Sequence, residues 1–160
     1  KRPILDDEWN ELLQRLNDQH DSNHILCGFK FSLIIPRRNQ PVFNNSAIFA
    51  IFSIDGEQLS KIIDEIDFNY VPIQEDIYFN LELLTRGYPN AIMEEFCYFQ
   101  RYNKPGGCSS FRTRQMEDDC AEKLNKKFPK YYKINYSKPR TAMNTLRTTV
   151  QYAKAYKESQ

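Results

Sequence analysis

The chain has 160 residues, 14% of them aromatic, and a formal net charge of +1, with a mean hydropathy of −0.68. That length suffices for one domain with its own core. No apolar run approaches the roughly 20 residues of a membrane-spanning helix. Acids interrupt the N-terminus (KRPILDDEWNELL) before a secretory hydrophobic region could form, and a start at Lys1 without Met reads as an excised or processed chain.

The small net charge hides an asymmetry. Residues 1–122 hold 12 Lys and Arg against 20 Asp and Glu, a net of −8, whereas residues 123–160 hold 10 against one, a net of +9. The basic part also carries Tyr131, Tyr132, Tyr136, Tyr152 and Tyr156. Basic residues interleaved with aromatics suit nucleic acid or another polyanion. The alternative is that this segment wraps the chain's own acidic part. Cys27, Cys97, Cys108 and Cys120 show no CxxC spacing. They read as reduced thiols of an intracellular protein, cytoplasmic or nuclear, with a two-disulfide secreted framework as the alternative.

In chain order, Asp6, Asp7 and Glu8 precede Trp9, Leu12, Leu13 and Leu16, the spacing of an amphipathic helix with an acidic first turn. A metal-binding Asp pair would need a longer buried strand before it than Ile4 and Leu5 provide. Residues 24–30 (HILCGFK) and 31–35 predict one or two strands. His20 and His24 have no partner ligand set, and each reads as a solvated or hydrogen-bonded side chain. Residues 36–46 (PRRNQPVFNNS) are a loop by composition. Residues 47–54 (AIFAIFSI) predict a buried strand, and Asp55-Gly56 a turn. Leu59, Ile62, Ile63 and Ile66 stand at helical spacing.

Residues 74–87 (QEDIYFNLELLTRG) predict a helix apolar on nearly all sides, hence buried, stopped by Gly87. Glu75 and Asp76 open it, at the positive end of the helix dipole. A general base and a plain helix cap both fit there. Residues 91–101 predict a strand, poorly paired at Glu94 and Glu95. In residues 103–113 (NKPGGCSSFRT), Gly106 and Gly107 permit close backbone approach, and Ser109, Ser110, Arg112 and Arg114 add donors for an anion. A plain surface loop is the other reading. Residues 116–128 predict an amphipathic helix and 131–136 a short strand. Residues 141–157 predict a last helix with Met143, Leu146, Val150 and Ala153 on one face. The class is therefore α/β, a mixed sheet flanked by helices. Chemistry in such folds sits in the loops at strand ends.

The succession of AIFAIFSID, EDIYFNLELLTRGY and NKPGGCSSFRT resembles the TET/JBP-associated glycosyltransferases, a nucleotide-sugar group of GT-A type, over roughly residues 29–133. What that resemblance implies is a partial GT-A-like, Rossmann-related sheet. Residues 1–136 would form an acceptor-side domain and 137–160 a basic C-terminal helix or tail. The expected activity is sugar transfer from a nucleotide-sugar donor to a hydroxyl on a modified DNA base or a protein Ser or Thr. Glu75 and Asp76 fall on the family's acidic pair. Asp76 would deprotonate the acceptor, because a hydroxyl is a poor nucleophile until a placed carboxylate takes its proton. Asn80, one turn on, together with Gly106, Gly107, Cys108, Ser109 and Arg112, would contact substrate, Cys108 through loop geometry rather than as a nucleophile. The family's Asp-x-Asp motif, which holds Mn²⁺ or Mg²⁺ against the donor diphosphate, has no counterpart in these residues. No metal ligand is assigned, and an N-terminal donor-binding half is expected for full activity. A non-catalytic nucleic-acid- or protein-binding module using Lys126, Lys127, Lys130 and Lys133, and an unrelated intracellular α/β domain, remain as alternatives. No membrane partner is expected.

Overall fold

The computed structural model describes residues 6–31, 42–98, 111–138 and 145–160. Strands β1 (Leu26–Phe31) and β4 (Asn90–Tyr98) run parallel at the centre of a sheet. β2 (Val42–Asn44) lies antiparallel beside β4 and β3 (Phe52–Ile54) antiparallel beside β1, giving the order β2-β4-β1-β3. Side chains alternate across this sheet as a pleat requires. On one face Cys27, Ala91 and Met93 meet Leu12 and Leu16 of helix α1 (Asp6–Asp21). On the other face Leu26 and Ile92 join the main core, whose centre is helix α3 (Glu75–Thr85). The architecture is mixed α/β, with helices on both faces.

Helix α3 is buried as its apolar composition requires: seven consecutive residues, Tyr78 to Leu84, are buried. Its end is a Schellman motif around Gly87 at φ +86°, with Tyr88 N–H donating to the Leu83 carbonyl and Gly87 N–H to that of Leu84. Helix α4 (Arg114–Lys127), capped by Thr113, runs in the same direction as α3. Gln74 meets Glu117 at their starts, and Glu82 meets Lys127 at their ends. Beyond α4, β5 (Tyr132–Ile134) pairs with β6 (Thr148–Val150), which leads into α5 (Tyr152–Lys157). Helix α5 packs along α3 through the buried Ala155. Its far end closes on Gly87, where a Cβ would stand 3.3 Å from the Gln160 side chain.

Several expectations change. Residues 47–51 are irregular and only Phe52–Ile54 form a strand, at the edge of the sheet, with Ile51 48% and Phe52 43% exposed. A short apolar run does not by itself distinguish a buried strand from an edge. What the run does bury is Ile48, which lies on Gly28 so closely that a Cβ there would come within 2.4 Å of it. The helical spacing over 57–66 resolves into a short α2 (Gly56–Ser60) and a 3-10 turn (Ile63–Glu65); Leu59, Ile62 and Ile66 are buried, but Ile63 is not. Of the single helix expected for 141–157, residues 141–144 lie outside the described residues, and the described part holds β6 followed by α5, because the β-branched Thr148, Thr149 and Val150 pair with β5. The disturbance expected at Glu94 and Glu95 is present. Phe29 opposes Met93 but Lys30 opposes Cys97, so the pairing skips those acids.

Candidate active site

The first turn of α3 begins at Gln74, which holds a left-handed backbone (φ 62°, ψ 26°) rarely adopted by a residue with a side chain. Its surroundings hold it there. The Gln74 amide nitrogen donates to Glu117 Oε2 at 2.8 Å, and its oxygen accepts from the Tyr132 hydroxyl at 3.0 Å. Strained backbone of this kind persists where neighbouring contacts over-determine it.

Glu75 is exposed and Asp76 is partly buried. Burial pushes the Asp76 carboxyl up to about 6, and the adjacent Glu75 adds to the rise. The Ile77 N–H, bonded to Asp76 Oδ1 at 2.7 Å, and the Arg112 guanidinium pull the other way. Asp76 is thus a partial cap and also a carboxylate whose proton exchanges close to neutral pH, the property a general base needs. Tyr152, at the start of α5, comes near enough for Asp76 to raise its phenol, on top of the larger effect of burial.

Arg112 ties the two predicted motifs together. It precedes α4, pairs with Glu117 at 3.2 Å and acts electrostatically on Asp76. Gly106, Gly107, Cys108 and Ser109 lie outside the described residues. Beside Arg112 a cleft of about 410 Å³ opens between the starts of α3 and α4 and the β5–β6 hairpin; Gln74, Glu117, Lys138, Arg147 and Thr149 also line it. Three cations and one acid suit an anionic ligand. Sequence reasoning missed Gln74, Glu117, Lys138 and Arg147 here. The only available signal was the β-branched Thr148–Val150 run, which places Arg147 at a strand start.

Asn80 is 1% exposed. Its amide nitrogen donates to the carbonyls of Ile48 (2.9 Å) and Asp76 (2.8 Å), and its oxygen accepts from Asn90 at 2.7 Å. Asn90 in turn holds both the Ser46 N–H (3.0 Å) and the Ser46 carbonyl (2.8 Å). Asn80 therefore connects the 46–48 loop to the turn bearing Asp76, and its own amide faces the interior.

The four lysines gather at the opposite end of α4 from Arg112. Glu117 and Lys127 are separated by about 15 Å, ten residues at about 1.5 Å each. Lys127 is committed to the buried Glu82, 2.6 Å away, and lies 4.7 Å over the Tyr70 ring. Lys133 bonds the Pro129 carbonyl, while Lys126 and Lys130 are exposed. Part of the basic segment does fold onto the chain's acidic part: Lys127 meets Glu82 and Tyr136 donates to Glu122.

Among the described residues no three His, Cys, Asp or Glu side chains converge as a metal site. The divalent ion implied by the resemblance finds no ligand set among them, and no step below runs through it. His20 is engaged by the His24 carbonyl (2.7 Å) and the Ser53 hydroxyl (2.9 Å). Cys27, Cys97 and Cys120 are free thiols, and burial pushes Cys27 up to about 12. Among the described residues no helix is long and apolar enough to cross a membrane.

No protein-family model matches the chain, and no solved structure matches it. Two curated proteins do. The chain is 31% identical over 135 residues to the beta-glucosyl-HMC-alpha-glucosyl-transferase of Enterobacteria phage T6, covering 79% of this chain and 45% of that protein. It is 31% identical over 132 residues to the enzyme of the same name from Enterobacteria phage T2, covering 77% and 44%. The chain thus spans somewhat less than half the length of these relatives, and what it is similar to is a pair of phage glucosyl-transferases.

Proposed function

We propose that this chain provides the acceptor side of a glucosyltransferase that acts on a hydroxyl carried by a modified DNA base. The observation that carries the reading is Asp76, a carboxylate held at the edge of the core with its proton poised near pH 6. The phage relatives support the choice of reaction. Their name links a glucosyl transfer to beta-glucosyl and alpha-glucosyl units and to HMC, which we read as a hydroxymethylated DNA base. In this reading Asp76 takes the proton of the acceptor hydroxyl as its oxygen bonds to the anomeric carbon of the donor. The bond from that carbon to the donor phosphate breaks, and the nucleoside diphosphate leaves with the electron pair. Arg112, Lys138 and Arg147 bring positive charge to the adjoining cleft, as a diphosphate or a DNA backbone requires. Glu75 raises Asp76 and faces solvent, so its part is electrostatic.

The finer assignment to the TET/JBP-associated group, with a GT-A fold, a nucleotide-sugar donor and Mn²⁺ or Mg²⁺, belongs to the same proposal. So does a substrate contact by Gly106, Gly107, Cys108 and Ser109. The test is transfer of label from nucleotide-[¹⁴C]glucose to HMC DNA carrying either alpha- or beta-linked glucose, by the natural polypeptide that carries this sequence, with either metal ion. Labelled DNA is expected, and Asp76→Asn should lower the rate about 10²- to 10⁴-fold. Full activity of Asp76→Asn would remove Asp76 as base, and no label on any HMC-containing DNA would remove the reaction.

A further inference from the structure

A second groove shares no lining residue with the cationic cleft, and its chemistry differs from that cleft's. It encloses about 330 Å³ between the end of β2 and the start of α5, and Asn44, Asn45, Ser46, Gln151, Tyr152 and Lys154 line it. That volume lies within the range of about 300–1,000 Å³ typical of small-molecule sites. Three carboxamides, two hydroxyls and an aromatic ring face one space, with no acid among them. The one cation, Lys154, lies 3.7 Å from Glu158. Such a lining suits a neutral polyhydroxyl ligand: amides can donate and accept at once, and a tyrosine offers an apolar body with a polar tip.

Asn45 has two further features. It holds a left-handed backbone at φ 59°, fixed by its N–H donating to the Asn90 carbonyl at 3.0 Å. Its side-chain oxygen is buried without a hydrogen-bond partner among the described residues. A buried acceptor left in that state is unusual; it is closed to solvent as it stands and would reach a ligand in the groove only by a turn of the Asn45 side chain.

The groove is also coupled to the proposed base. Ser46 is held by Asn90, Asn90 by Asn80, and Asn80 by the Asp76 carbonyl, so one chain of amides runs from the groove wall to the catalytic turn. Tyr152 lines the groove and is within electrostatic reach of Asp76.

We infer that this amide-lined groove is a sugar subsite that receives the glucosyl unit of the acceptor and directs its hydroxyl towards the Asp76 turn. The choice of sugar rests on the glucosyl-transfer reading above; the polyhydroxyl character of the ligand rests on the groove alone. The experiment is an NMR titration with methyl α-D-glucopyranoside and methyl β-D-glucopyranoside in turn, followed at the side-chain amides of Asn44, Asn45 and Gln151, with transfer kinetics measured in parallel. Asn45→Gly keeps the left-handed backbone, and Gln151→Ala leaves the Gln151 N–H bond to the Tyr131 carbonyl. Each variant should weaken glucoside binding about three- to tenfold. KM for glucosylated DNA should rise by the same factor, while kcat and KM for the donor stay within twofold. Shifts confined to the Arg112–Thr149 cleft, or a rise in donor KM instead, would overturn the inference. Glucoside bound in the groove without any transfer to DNA would keep the subsite and sink the transferase reading. Transfer intact with an unperturbed groove would do the reverse.

Discussion

Helix α3 carries two inward carboxylates in opposite circumstances. Glu82, near its end, is 1% exposed and clamped: Lys127 lies 2.6 Å from it and Arg86 bonds it from the next turn. Arg86 also reaches the Glu65 carbonyl at 3.0 Å. Asp76, at the start, is only partly buried and has no close ion pair among the described residues; Arg112 acts on it from further off, and burial still holds its proton up to about 6. One acid is neutralised by built-in partners and can only contribute structure. The other has its desolvation only partly offset, by the Ile77 N–H and by Arg112, which costs stability and yields a usable base. Burial that is incompletely offset beside a cleft is what separates a candidate catalytic carboxylate from a structural one.

The sharpest way to break this comparison is at Glu82. Replacing Glu82 by Gln leaves Lys127 and Arg86 facing a neutral interior. Loss of one member of a buried ion cluster costs about 3–5 kcal/mol, so Glu82→Gln should lose that much in urea denaturation. A double variant that makes Glu82 and Lys127 both Leu should recover a large share of it. A cost below about 1 kcal/mol for Glu82→Gln would show that the clamp is not structural.

Asp76→Asn should move stability the other way. The native Asp76 carboxyl binds its proton more tightly than the ordinary value of 3.8. The native state therefore gains stability as pH falls from about 6 towards 4, and carries the full cost above about 6. A rise of about two units corresponds to about 3 kcal/mol. Asp76→Asn should raise stability by up to that amount at pH 8 and by almost nothing at pH 4, while activity is lost. In the wild type, kcat/KM should fall below about pH 6 as Asp76 protonates. An equal drop in Tm at both pH values would mean that Asp76 serves as a cap alone.

How much of this was legible beforehand follows from the same physics. Helix α3, its Gly87 stop and its acidic opening are local properties, written in composition and periodicity. The parallel pairing of β1 with β4 joins residues about sixty positions apart, and no local pattern states it. Strand β5 was legible as a short alternating run, but its partner β6 was missed because helical spacing at Met143, Leu146, Val150 and Ala153 outweighed three β-branched residues. Of the candidate site, Asp76 and Arg112 were visible as residue types in motifs. Asn80 was visible too, but its burial depends on Ile48 and Asn90, which only folding brings together. Gln74 carried no signal, since its left-handed backbone is imposed by Glu117 and Tyr132 from distant elements.

That imposed backbone gives a smaller prediction. Tyr132→Phe removes the 3.0 Å bond to Gln74 and should cost about 1 kcal/mol. If Gln74 sets the angle at which Asp76 enters the site, kcat should also fall several-fold, with KM for both substrates held. A loss of stability with kcat unchanged would make the Gln74 contact packing only.

The lysines make the last and smallest test, and they divide in the same way as the two acids. Lys127 is tied to Glu82, so Lys127→Ala should behave as a clamp variant and destabilise the fold. Lys126 and Lys130 are exposed, and surface substitutions of this kind usually change stability by less than about 0.5 kcal/mol. If the far end of α4 touches the DNA backbone, each of these two should lower the slope of log K against log salt by about 1, uniformly across DNA sequences. If DNA is held only through the cleft at Arg112, Lys138 and Arg147, the slope should respond to Lys138→Ala and ignore Lys126 and Lys130. Fluorescence anisotropy across a salt series separates the two outcomes. Only the first leaves the lysine end of α4 a share in substrate binding; the second makes that end structural throughout, as Glu82 already is.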